Sequence, residues 1–110
     1  MGDKPWKVAE RKTAAALGGV RNRMSGAIDQ LTAGDVVHPN LYVEVKYRIH
    51  HAAVTLMKDV EEKAEREAKT PVVVLQERGA DARYYIVREE DFPIFVRNLA
   101  KAKERRGDHK

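Results

Sequence analysis

The chain has 110 residues, with 21 lysines and arginines against 17 acids, a net charge of +4 and no cysteine. A single domain of that length buries about two thirds of its unfolded surface. Disulfides and thiolate metal sites are excluded, and the longest strongly apolar run, residues 72–75, falls far short of the ~20 residues that a membrane-spanning helix needs. The N-terminus is polar and lacks the apolar stretch of a signal peptide, so a soluble, cytoplasmic protein is expected. The basic balance is compatible with a polyanionic partner without proving one.

Residues 5–17 read as a helix, with Pro5 acceptable in the first turn and Gly18-Gly19 as its stop. Trp6, Ala9, Thr13, Ala16 and Leu17 form the expected inward stripe. Glu10 falls on that stripe, where a carboxylate must be paired, protonated or next to a metal unless it lies at the edge and reaches water. Residues 20–24 are the first expected strand, with Arg21 and Arg23 on one face. Two guanidiniums at that spacing can grip a phosphate through parallel hydrogen bonds, or simply form a solvated strand face. Residues 25–34 carry two glycines and only two large apolar residues, the composition of a mobile loop. Ser25 there either touches a nucleic-acid backbone or serves a turn.

Residues 35–48 are the most informative stretch. From Leu41 to Arg48 the apolar Leu41, Val43, Val45 and Tyr47 alternate with Tyr42, Glu44, Lys46 and Arg48, the period of a half-buried strand. His38-Pro39-Asn40 is a turn signal, so residues 35–37 should end a neighbouring strand folded back on the first. Such a hairpin brings Asp35 close to Glu44, with Lys46 pointing the same way as Glu44. Two carboxylates suit a hard divalent cation that keeps most of its coordination for water and phosphate. A lysine beside them can orient an attacking water or neutralise developing charge.

Farther on, a helix is most secure over residues 55–69, with a core stripe at Val54, Met57, Val60, Ala64 and Ala68. Residues 71–76 form a Val-rich strand, apolar on both faces as a covered central strand would be. Residues 83–88 are its antiparallel partner across a turn at Gly79. Asp91-Phe92-Pro93 opens the last helix, anchored by Phe92, Phe95, Val96 and Leu99. The basic residues 97–110 are either a DNA-touching extension or a frayed tail. The four histidines, His38, His50, His51 and His109, lack the spacing of a zinc set.

Asp35 followed by Glu44-Val45-Lys46 resembles the D…(D/E)-x-K core of the PD-(D/E)XK nucleases. The flanking segments Ala9-Glu10-Arg11, Val20-Arg21-Asn22-Arg23 after a Gly-Gly break, and Met24-Ser25-Gly26-Ala27 narrow the resemblance to the archaeal-type Holliday junction resolvases, over about residues 5–95. Gly34 stands where the name-giving motif has proline. The resemblance implies an α/β fold, a mixed five-stranded sheet flanked by helices in the order α-β-β-β-α-β-β-α. It implies one nuclease domain over 1–110, with its core at about 5–96. It further implies a Mg²⁺-dependent endonuclease, with Mn²⁺ as a substitute, that resolves four-way DNA junctions by paired nicks as a homodimer. Asp35, Glu44 and the Val45 carbonyl would hold the metal with Glu10 beside it, and Lys46 would position the water. Arg11, Arg21, Arg23, Ser25 and Arg48 would contact DNA, Arg23 aligning best with the family's functional arginine. The alternatives are a related nuclease acting on other branched or duplex DNA and a non-catalytic DNA-binding module.

Overall fold

The computed structural model describes residues 4–23 and 34–107. The chain divides into two compact units, Met1–Ile49 and His50–Lys110. The first expected strand past Arg23, and the loop with Ser25, lie outside the described residues.

In the first unit, helix α1 spans Pro5–Leu17, with Pro5 at its first position behind an extended Lys4. It stops at Gly18, whose φ of 77° is left-handed, and the amide of Gly19 closes the end by donating to Ala14 O at 2.8 Å. Strands β1, Val20–Arg21, and β2, Val36–Val37, pair antiparallel with Val20 facing Val37 and Arg21 facing Val36. Helix α1 packs on both strands. Gly19 permits this: a Cβ there would lie 2.6 Å from Val37 O and 2.7 Å from Val36 Cγ1, so only a bare backbone passes. The buried residues of α1 are Glu10 and Ala14, and Val36 of β2 is fully buried. Trp6 and Leu17, expected inward, are largely exposed.

In the second unit, helix α2 covers Ala52–Arg66 and packs on strand β3, Val73–Gln76, and each element has one buried apolar residue, Met57 and Val73. Ala68, just past the helix, takes φ 54°, while the Lys69 amide reaches back to Ala64 O at 2.9 Å. Strand β4, Arg83–Ile86, pairs with β3 through a four-residue ladder from Val73–Ile86 to Gln76–Arg83, turning at Gly79 with φ 83°. A short 3₁₀ turn, Glu89–Asp91, leads into helix α3, Phe92–Gly107. The buried Asp91 carboxylate accepts from Arg88 Nε at 2.8 Å, a hydrogen bond that holds the guanidinium above its ordinary pKa. Tyr85 and Phe95 bring their rings to 5.6 Å. No helix among the described residues is long and apolar enough to cross a membrane.

The expected five-stranded mixed sheet is not formed. The described residues make two separate two-stranded antiparallel sheets, β1–β2 and β3–β4, and the order is α-β-β-α-β-β-α. Two local causes are visible. The strand expected over residues 41–48 shrinks to one bridge, Val43 to Val36. The Asp35 amide also donates to Val43 O, at 2.6 Å, so two residues oppose one, the pattern of a bulge that ends regular pairing. In the second unit, β3 has β4 as its sheet partner, and its Val74 and Leu75 remain exposed. An apolar run marks a strand, but it does not show that neighbours cover both faces.

Candidate active site

The bulge sets the geometry around Asp35. Its main chain is held on one side by the Asn22 amide, which donates to Asp35 O at 2.9 Å, and on the other by its own amide bond to Val43. The half-buried carboxylate then turns onto the neighbouring segment and accepts the Val45 amide at 2.6 Å through Oδ2. Charge-assisted bonds of this kind are among the stronger ones a carboxylate makes. Val45 lies between Glu44 and Lys46, whose exposed side chains form an ion pair at 2.9 Å. The Asp35 side chain is thereby tied to the Glu44–Lys46 segment although Asp35 and Val45 lie ten positions apart.

The turn that returns the chain is built on His38. Its Nδ1 accepts the amides of Asn40 at 3.0 Å and Leu41 at 3.2 Å, as an aspartate or asparagine would in an Asx turn. The sequence signals the turn but not this role of the histidine. Asn22 is a second such residue. It is buried, and its Nδ2 donates to Gly34 O at 2.8 Å, so side chain and main chain together clasp the two peptides that flank Asp35. The available signal was strand alternation, which sets Asn22 on the face opposite Arg21 and Arg23 and hence inward.

Glu10 and Arg21 answer the question raised by a carboxylate on an inward stripe. Arg21 Nε donates to Glu10 Oε1 at 2.8 Å, and both side chains are mostly buried. Arg21 also lies over the Trp6 ring, with Cζ 5.7 Å from its centroid. Arg11 and Arg23 are exposed and, with Trp6, Lys7 and Arg21, line an open cleft of about 520 Å³. Arg48 is exposed on the segment after Lys46. Ser25 lies outside the described residues.

The donors that the motif would offer are all oxygens, the Asp35 and Glu44 carboxylates and the Val45 carbonyl, the hard set that suits Mg²⁺ or Mn²⁺. The Glu44–Lys46 pair is about half exposed, so it exchanges partners at little cost. The residues therefore fit a hard cation held by few protein ligands. Among the described residues no group of three or more His, Cys, Asp or Glu side chains is disposed to hold a metal. The Glu10 carboxylate is committed to Arg21. Comparison of the chain with models of protein families, with curated proteins and with solved structures finds no match.

Proposed function

We propose that the chain is a metal-dependent, structure-selective endonuclease that resolves four-way DNA junctions, acting in the cytoplasm as a homodimer. The observation that carries this reading is the Asp35 carboxylate bonded to the amide between Glu44 and Lys46. That contact ties the Asp35 side chain to the main chain of the segment that carries Glu44 and Lys46, without help from a regular ladder. The proposal rests on this patch and on the motif, and not on a sheet architecture.

Asp35, Glu44 and the Val45 carbonyl would hold Mg²⁺ or Mn²⁺, which when bound supplies Lewis acidity to the phosphate and acidifies water at neutral pH. The protein's own residues do the rest. The Val45 amide fixes the orientation of the Asp35 carboxylate. Lys46 exchanges its bond to Glu44 for the attacking water, holding it in line and resisting the charge that develops on phosphorus-bound oxygens. Arg11 and Arg23 secure the phosphate, a task that bidentate guanidiniums do well. Arg21, locked by Glu10, holds its guanidinium in the lining of the cleft. No sequence-reading motif is recognisable, so selectivity would come from DNA shape and backbone placement. A two-fold dimer matches a branched substrate that is itself near two-fold symmetric.

The test uses labelled synthetic four-way junctions and linear duplex of the same sequence, in Mg²⁺, resolved on denaturing gels. Paired nicks on opposing junction strands with little duplex cutting are expected. Asp35→Asn, Glu44→Gln and Lys46→Ala should each lower nicking by about a hundredfold or more while junction binding in gel shifts persists. Normal nicking by Glu44→Gln removes this active site. Equal cutting of duplex and junction indicates a nuclease of other specificity, and binding without any cutting indicates a non-catalytic DNA-binding module.

A further inference from the structure

The cleft lined by Trp6, Lys7, Arg11, Arg21 and Arg23 contains a group that phosphodiester cleavage does not use. Trp6 sits in the first turn of α1 and is 43% exposed. A lone surface aromatic is ordinary, but this one shares its cleft with four cations. Glu10, one helical turn on, is buried and spent on fixing Arg21. Lys7 Nζ lies 5.5 Å and Arg21 Cζ 5.7 Å from the ring centroid, within cation–π range. Arg21 cannot leave the ring without breaking its buried bond to Glu10. Lys7 is an ammonium on a flexible stem and can move to an anion.

The ligand must satisfy both halves of this surface. A polyanion of phosphates alone would pair with the cations and leave the indole in water. An apolar peptide or acyl chain would cover the indole and strip water from the charged side chains around it, at a cost. A flat heteroaromatic ring next to a phosphate meets both demands. In duplex DNA each base is covered on both faces by its neighbours, so only a base that has left the stack can offer a face to Trp6.

We infer that this cleft binds an unpaired nucleotide of a nucleic-acid strand, with Trp6 stacking on the base and Arg11, Arg23 and Lys7 taking the flanking phosphates. This deepens the nuclease reading, on which it rests for its natural substrate: strand-exchange points are where unstacked bases occur. The chemistry of the cleft itself does not require the Asp35 patch.

Trp6 is the chain's single tryptophan, so its emission reports on this cleft alone. The full chain is titrated in chelator with a short mixed-sequence single strand, an abasic strand of equal length, the matching duplex and phosphatidylserine vesicles. Binding is read in parallel by anisotropy of labelled strands. The single strand should quench Trp6, whereas the abasic strand should bind and leave emission nearly unchanged. Trp6→Ala should weaken single-strand binding by about 5- to 100-fold and abasic-strand binding hardly at all. Trp6→Phe, which keeps a ring and guards against a folding artefact, should retain most of the affinity.

Equal quenching by the abasic strand, unchanged single-strand affinity in Trp6→Ala, or stronger quenching by vesicles than by the strand would each overturn the inference. Base-dependent quenching by a protein that never cuts junctions upholds the cleft and sinks the nuclease. Junction cutting without base-dependent quenching does the reverse.

Discussion

The two units each turn a chain back on itself, and they secure the return by opposite means. In the second unit β3 and β4 are joined by a four-residue ladder, so main-chain pairing sets the geometry and the side chains ride on it. In the first unit the strands are two residues long. There the return is tied by side chains bonded to main chain: Asn22 to Gly34, Asp35 to Val45, and His38 to Asn40 and Leu41. A ladder tolerates substitution because every residue supplies the same amide and carbonyl. A return tied by particular side chains does not, and in exchange it can aim a carboxylate where no regular strand would.

Matched substitutions, one in each unit, test that difference. The largest contrast is between two glycines. Gly19→Ala drives a methyl into Val37 O and the fully buried Val36, and should cost about 2–4 kcal/mol in chemical denaturation. Gly79→Ala meets open space and bears only its left-handed φ of 83°, for about 1 kcal/mol. Equal losses would mean that the first unit yields at Gly19 as easily as a turn does.

Next come two side-chain amides that each donate to a carbonyl. Asn22→Ala orphans the buried contact to Gly34 O and should lower stability by about 1–3 kcal/mol. Gln76→Ala removes the exposed bond to Ala80 O at 2.7 Å, where water takes over, and should change it by less than about 0.5 kcal/mol. If the two denaturation midpoints move together, the polar ties of the first unit are ornaments rather than supports.

The last contrast lies at the helix ends, and its sign is reversed. Helix α1 ends on a glycine in the left-handed region, whereas after α2 it is Ala68 that adopts φ 54°. Ala68→Gly relieves that strain against a gain in unfolded-state entropy, so a net stabilisation of about 0.5–1 kcal/mol is expected. A fall in melting temperature would show that the Ala68 methyl is contributing something its backbone angle conceals.

Much of the second unit was legible in the sequence, because its signals are local. The Val-rich run, the Gly79 turn and Asp91-Phe92-Pro93 each stand within a residue or two of the elements they announce. Helix α1 was legible for the same reason, with Pro5 and Gly18 at its two ends. The strand over residues 41–48 was not. Alternation reports how a segment would pack as a strand, but its pairing depends on what the partner offers, and here the Asp35 amide reaches Val43 O and the Asp35 side chain takes the Val45 amide. The inward stripe of α1 misled at Trp6 for a related reason. Spacing located a face, while the strong pairing of Glu10 with Arg21 decided which part of it turned inward. The return at His38-Pro39-Asn40 and the nearness of Asp35 to the Glu44–Lys46 segment were readable, since a turn and two short flanks need no long-range partner.

Asp35 has one property whose consequence is dynamic. It donates its amide to Val43, accepts the Asn22 amide through its carbonyl and accepts the Val45 amide through its carboxylate, so three passes of the chain are knotted at a single residue. Movement of the carboxylate alone would leave the Val45 amide unmatched, and movement of the main chain would release both neighbours. Graded breathing is therefore suppressed, and the patch opens as one small cooperative unit or stays shut. Amide hydrogen exchange would register this as a shared opening rate for Asn22, Asp35 and Val45, a clock set by local unfolding and not by side-chain rotation.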